Sequence, residues 1–316
     1  MKILITGAAG NLGNLLAHSL AEEPGISLNL MIHKKELDGY FYKKPNVKVF
    51  KADLADSNTL TPSLIGVDVI VHFAGVLFKH NPEKFLPETN TRYFKNLLEE
   101  ALENRVKRVI LISFPHVEGE TFKDAPARGK LDRQPVSVHA KTRLAEEKYL
   151  FQKQQEYPFE AVSLRVGMVY GKGILMIDAA KYFAKFNLLG VWKKSTWIHL
   201  ISKDDFLTIT KNAAIKPDIK GIYHIGDEGY QTLQEFLDQV CIHWKLKKPW
   251  RMPVSFIMAV AQFFELVSMI FGVQSPLTKD FIKIGMVSYY GDTSRMRKDL
   301  LDELKYKTFK DGLEIL

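Results

Sequence analysis

An α/β fold is predicted by two observations. Strand-like apolar runs alternate with helical patterns through the first half of the 316-residue chain, the signature of a parallel sheet with right-handed crossovers. The first run, Ile3 to Ile5, passes through Thr6-Gly7-Ala8-Ala9-Gly10-Asn11-Leu12-Gly13 into an amphipathic helix, Leu15 to Ala21. Strand, glycine-rich turn and helix in that order form the dinucleotide-binding fingerprint, here spaced G-x-x-G-x-x-G. Together they specify a Rossmann-type doubly wound parallel sheet with a smaller, mostly helical C-terminal substrate lobe.

Each part of the turn has a reason. Gly7 permits the tight turn, Gly10 lets backbone N–H groups approach a pyrophosphate, and Gly13 lets the helix pack close to the strand. The helix N-terminus then offers unpaired donors and partial positive charge to phosphates. Further strands are expected near 28–32, 47–50, 67–72, 108–112, 161–165 and 221–225, with long helices over 85–103 and 139–155. The domain expectation is a dinucleotide-binding part over 1–172, with a return strand within about 198–230. Segments 173–197 and 231–316 lie outside the alternation and form the smaller lobe. Ligands in such sheets bind outside the carboxyl ends of the strands, so this lobe closes over that edge.

Composition narrows the class. The single cysteine, Cys241, rules out a disulfide framework and fits a reducing compartment. No signal peptide is read before the first strand, so a cytoplasmic protein is expected. The net charge is +8, but the basic residues are scattered and no nucleic-acid module is recognisable. No nucleic-acid partner is expected; a solvated basic surface, enriched near a membrane or an anionic ligand, accounts for the charge. Histidines and acids lack metal-ligand spacing, so no metal is expected.

Six segments then carry a resemblance in order along the chain: TGAAGNLG at 6–13, KADLAD at 51–56, GVDVIVHFAG at 66–75, ETNTRYFKNLLEEAL at 88–102, VKRVILIS at 106–113 and LRVGMVYGKG at 164–173. The chain resembles the extended short-chain dehydrogenases/reductases, the group that includes the NAD-dependent epimerase/dehydratases. The resemblance implies a cofactor site built from Gly7, Ala9, Gly10, Asn11, Leu12 and Gly13. It places Asp53 and Leu54 at the adenine, has Phe73, Ala74 and Gly75 line the adenosine side, and sets Asn90 in the helix approaching the active site. For Asp53 a turn or cap aspartate is the bland alternative. The second strand ends Met31-Ile32-His33-Lys34-Lys35, with no acid until Glu36. A cationic strand end suits a 2′-phosphate, so NADP(H) is favoured over NAD(H) through His33 and Lys34; a solvated basic loop is the alternative.

The catalytic positions depart from the family. Its chemistry uses a Tyr-x-x-x-Lys pair, in which tyrosine exchanges the proton and lysine holds the nicotinamide ribose. Here no such pair stands in the right place. One register pairs Ser137 with Lys141; the other pairs His139 with Arg143 and fits HAKTRLAEEKYL better. Histidine is a competent proton donor near neutral pH, and an arginine four residues on shares its helix face and disfavours the imidazolium. Arginine also hydrogen-bonds a ribose, though it is never deprotonated and is bulkier than lysine. Phe114 stands where a serine or threonine belongs, Ser113 points to the opposite face, and His116 lies two residues further on. His139 and Arg143 are therefore either an altered catalytic pair or ordinary helix-surface groups. Met168, where sugar-nucleotide members often carry asparagine, suggests an apolar substrate or simple packing.

Met252 to Val273 is long and apolar but holds Gln262 and Glu265, and an acid at a bilayer centre costs about 2.5–3.5 kcal/mol. Preceded by Trp244-Lys245-Leu246-Lys247-Lys248-Pro249-Trp250-Arg251, the stretch 244–273 suits either peripheral membrane contact or packing beneath the lobe or at a dimer contact. The tail from 275 loosely resembles members acting on sterols. Relatives pair through helices equivalent to 85–103 and 139–155, which makes a homodimer an expectation. The functional expectation is an NADP-dependent oxidoreductase on an apolar carbonyl or alcohol. Alternatives are a non-catalytic NADP(H) binder of structural or redox-sensing role, and a sugar-nucleotide epimerase or dehydratase.

Overall fold

The computed structural model describes residues 1–76, 81–271 and 277–316, the side chain of Phe271 excepted. Seven strands form one sheet: β1 (Lys2–Thr6), β2 (Ser27–Ile32), β3 (Val47–Lys51), β4 (Val69–His72), β5 (Arg108–Ser113), β6 (Glu160–Val166) and β7 (Gly221–Ile225). Their order is β7-β6-β5-β4-β1-β2-β3, and every pairing is parallel. The strand order reverses between β1 and β4, so a crevice opens where these two end side by side at Thr6 and His72.

The helices that position the site and its surroundings are α1 (Asn11–Ala21), α2 (Tyr93–Glu103), α3 (Val138–Glu156), α4 (Leu175–Lys185), α5 (Lys203–Ile215), α6 (Leu233–His243), α7 (Val254–Phe271) and α8 (Lys279–Gly285). Successive strand side chains point to opposite faces, so the sheet has two cores. On one face Ile3, Ile5, Leu28, Leu30 and Val71 pack against Leu16 and Leu20 of α1 and Phe206 and Ile209 of α5. On the other, Leu4, Ile70, Val109 and Leu111 meet Phe94, Leu97 and Leu98 of α2 and Leu150 of α3.

The expected strands fall within a residue or two of the observed ones, and α1 begins earlier than its apolar pattern, at Asn11, with Gly10 as its cap. The helix expected over 85–103 is not continuous. Pro82–Leu86 is helical, Pro87–Arg92 winds as a π turn, and α2 follows. Pro87 has no N–H for the regular ladder, and one extra residue per turn absorbs the interruption.

Outside the sheet, three short pairs join the remaining helices: 168–170 with 200–202, 197–198 with 231–232, and 190–192 with 250–252. Val191, Trp192, Ile257, Ala261 and Ile282 make a small separate core there. The chain then returns over the carboxyl end of β5: Thr121 N–H donates to Ser288 O at 3.0 Å and Ala127 N–H to Tyr290 O at 2.9 Å. Among the described residues no helix is long and apolar enough to cross a membrane. Glu265 serves a local purpose instead, accepting from Lys279 N–H at 2.8 Å at the start of α8. Of the stretch 244–273, residues 272 and 273 lie outside the described residues, as do the first two of the sterol-like tail.

Candidate dinucleotide and proton-transfer site

The glycine-rich turn has the geometry its sequence demands. Gly7 sits at φ +69°, and a Cβ there would stand 2.8 Å from Ala74 N; one on Gly13 would stand 2.5 Å from Gly7 O. Gly10 N–H donates to Gly7 O at 2.8 Å, and the N-cap of α1 has no side-chain hydrogen bond. The first N–H groups of α1 are thus left for an outside acceptor, which is what a pyrophosphate needs. Ala9 and Leu12 pack against the core. Asn11 faces the other way, donating to Gly173 O at 2.7 Å and accepting from Leu175 N–H at 3.0 Å, and so fastens the turn to the start of α4.

At the far end of the crevice, His33 Nε2 lies 3.7 Å from Asp53 Oδ2, both half exposed, while Lys34 and Lys35 are exposed. Asp53 also accepts from Ala55 N–H at 2.9 Å, a turn of its own, and Leu54 packs against the second core. After β4, Phe73 packs edge-on to Phe206. Asn90, buried in the π turn, reads the backbone of Val76 like a neighbouring strand: it accepts from Val76 N–H at 2.9 Å and donates to Val76 O at 3.4 Å. Its amide also reaches Thr142 Oγ1 at 3.4 Å. The 73–76 segment is thereby held between the glycine-rich turn, the π turn and α3.

His139 and Arg143 are not surface groups: they are 5% and 7% exposed. The guanidinium of Arg143 lies against Gly75, where a Cβ would collide with it, and points toward Ala74 O at 3.5 Å. Its other arm donates to Glu146 Oε2 at 2.7 Å. Burial, then the nearby Arg143 charge, hold His139 at about 3, so its ring is neutral at physiological pH. Among the described residues its Nδ1 is buried without a hydrogen-bond partner. The alternative pair dissolves: Ser137 Oγ caps α3 by accepting from Ala140 N–H at 3.1 Å, and Lys141 is exposed. Phe114 lies between two imidazoles, 4.8 Å from His139 edge-on and 4.9 Å from His116. His116 Nε2 is bonded to Val287 O at 3.0 Å. Met168 packs against the core at a strand start.

Two groups escaped sequence reading. Glu146 is fully buried and, through burial, raised to about 7 despite Arg143 beside it. Its three-residue spacing from Arg143 was the available signal. The second is a buried charge network around Arg165, which bridges Glu118 and Glu147. Glu147 Oε1 also accepts from Ser113 Oγ and, at 2.8 Å, from Ser163 Oγ, so Ser113 faces away from the crevice as expected. Burial alone would raise Glu118, but His224, Arg165 and Gly129 N–H hold it near about 2. A cleft at the start of α3, which His139 does not line, is bordered by His116, Gly119, Val136, Ser137, Ala140, Ile284, Met286 and Val287, with Lys194 and Glu120 as its charges.

This fold and turn define a dinucleotide-binding α/β protein. The NAD-dependent epimerase/dehydratase family matches residues 3–187, more than half of the chain, and the chain belongs to that family; a nicotinamide dinucleotide is the cofactor class that goes with it. A uronate dehydrogenase of Pseudomonas syringae is 30% identical over 218 residues, covering 69% of this chain and 71% of that enzyme. One from Pseudomonas putida is 30% identical over 167 residues, 52% of this chain, which spans only 60% of that enzyme. The human sterol-4-alpha-carboxylate 3-dehydrogenase is 25% identical over 54% of this chain and 45% of its own length. UDP-glucose 4-epimerase of Thermus thermophilus in complex with NAD shares the fold, with TM-score 0.77 over 100% of this chain and 97% of that one at 19% identity.

Proposed function

We propose that the protein is an NADP(H)-dependent oxidoreductase acting on a hydrophobic alcohol or carbonyl, with His139 and Arg143 in place of the family's tyrosine and lysine. The observation that carries this reading is their placement: both are buried on one face of α3, against the 74–76 segment beside the glycine-rich turn, and His139 Nδ1 has no partner among the described residues. A neutral imidazole whose Nδ1 has no partner among the described residues is in the protonation state that accepts a hydrogen bond from a substrate hydroxyl, and with its pKa held at about 3 it is a weak base for that proton. Arg143, anchored by Glu146, directs its guanidinium along the backbone of residues 74 and 75, where it holds a ribose hydroxyl. Bound dinucleotide supplies the hydride acceptor. Gly7, Gly10 and Gly13 would admit its pyrophosphate, Asp53 and Leu54 would hold its adenine, and His33 and Lys34 would take a 2′-phosphate. The apolar walls of the cleft at the start of α3, Val136, Ala140, Ile284, Met286 and Val287, support a lipophilic substrate. Residues 173–197 and 231–316 serve as the substrate lobe, and peripheral contact of 244–273 with a membrane goes with the same reading, since lipophilic substrates are held in bilayers.

A specific observation favours a second reading. The Phe114 ring fills the place of a substrate-oxygen ligand and lies edge-on to His139, which fits a non-catalytic dinucleotide binder. Native mass spectrometry with NADPH and NADH in parallel, followed by an absorbance assay against secondary alcohols including a sterol and a uronic acid, separates the two. Selective NADPH retention with hydride transfer from any of them to NADP+ supports the oxidoreductase; retention without transfer supports the binder.

A further inference from the structure

The outer surface of the segments beyond the sheet is apolar where water should meet it. On α4 and its capping residue Phe186, positions 175, 176, 182, 183 and 186 share one stripe, occupied by Leu175, Met176, Tyr182, Phe183 and Phe186, all exposed; Ile177 and Ala184 face inward. The stripe continues into Leu188, 67% exposed. The same inversion occurs on α7, where Ile257 and Ala261 are buried and Phe256, Phe263, Leu266 and Ile270 are exposed. The parallel pair 190–192 with 250–252 joins the two helices. At its head Trp250, 64% exposed, donates from Nε1 to Asn187 O at 2.8 Å, and α7 begins four residues later. Exposed apolar residues gathered on elements joined in this way mark a binding surface in a folded chain.

The charge around this face is one-sided. Lys247, Lys248 and Arg251 share a cleft with Asn187 and Trp250. Lys181 Nζ stands 4.9 Å over the Trp244 ring, and Lys185 ends α4 exposed. Among the described residues here, Asp238 of α6 is already committed to Arg251 at 2.7 Å and Lys248 at 3.8 Å, Glu265 of α7 is paired with Lys279 at 3.6 Å, and Asp178 is the acid of α4.

We propose that this face, α4 through Leu188 with Trp250 and the outer stripe of α7, docks on the surface of an anionic lipid bilayer. Phe183, Phe186, Leu188 and Phe256 enter the acyl boundary, Tyr182 and Trp250 sit at headgroup level, and the lysines meet lipid phosphates. A second copy of the chain fits less well, since a two-fold contact would set the same lysines against one another. The proposal rests on the functional reading only for the origin of the substrate; the surface itself is argued independently.

The test is co-sedimentation of the full chain, without cofactor or substrate, with vesicles of phosphatidylcholine alone and of phosphatidylcholine mixed with phosphatidylglycerol. The expected result is sedimentation with the mixed vesicles only, weakened by salt. The double variant Phe186→Ser, Leu188→Ser and the double variant Lys247→Glu, Lys248→Glu should each bind about tenfold more weakly while melting and binding NADPH like wild type. Wild type remaining in the supernatant with both vesicles overturns the proposal, as does undiminished binding by both variants. A dimer in light scattering that the apolar variant dissolves also overturns it, giving the face to a second copy. None of these outcomes touches the hydride-transfer assay, so failure here and failure of the oxidoreductase reading are separately visible.

Discussion

Among single residues, the site is shaped by what backbone and burial permit. Gly7 combines a left-handed φ with a Cβ position 2.8 Å from Ala74 N, so both strain and collision act on any replacement. Gly7→Ala should lose about 1–3 kcal/mol of stability and most NADPH affinity, read by thermal melts and calorimetry. Burial also sets an acid limit. His72, His116, His139 and His199 are held near about 3, 4, 3 and 4 against an ordinary 6.5, so the unfolded chain protonates them first. Their contribution is complete above 6.5 and is lost as pH falls through those lower values. Glu146 and Asp227, raised to about 7 by burial, act in the opposite sense, gaining stability as pH falls from 7 toward their ordinary values of 4.5 and 3.8. Glu118, held at about 2, loses its share only below 4.5. The melting temperature should therefore decline gently between 6.5 and 4.5 and fall steeply below, where the opposing acids are spent; a steep fall already above 6.5 would contradict this.

Among the elements, β5, β6 and α3 are stapled by buried charge. Arg165→Met leaves Glu118 and Glu147 buried without their cation, a loss of about 3–5 kcal/mol expected in denaturant unfolding. At the tips of β2 and β3, Lys34→Glu should shift preference from NADPH toward NADH, measured as the ratio of dissociation constants; an unchanged ratio would make His33 to Lys35 a solvated loop. These elements also show what a sequence discloses. The sheet was legible because parallel strands buried on both faces read as near-continuous apolar runs, as in Val69–His72 and Arg108–Ser113. The glycine turn was legible because each glycine answers a local steric demand. The π turn at 87–92 was not, since one extra residue leaves the apolar spacing of a helix nearly intact. Arg165 looked like any strand-end arginine because its partner Glu118 lies 47 residues away and only the folded sheet brings them together. His139 and Arg143 were legible as a pair, but their burial follows from how α3 lies on the 73–76 segment, which no spacing along the chain encodes.

Across the molecule, the crevice between β1 and β4, the π turn and α3 converge on residues 73–76, and the returning chain at 287–292 covers the segment that follows β5. This convergence puts the proposed proton transfer on His139. The most direct test compares His139→Ala with wild type, measuring both kcat for alcohol oxidation and the dissociation constant for NADPH. The expected result is a fall in kcat of about a hundredfold or more with NADPH affinity nearly unchanged, the signature of a lost proton acceptor rather than a lost cofactor site. Equal turnover in the two proteins would contradict it.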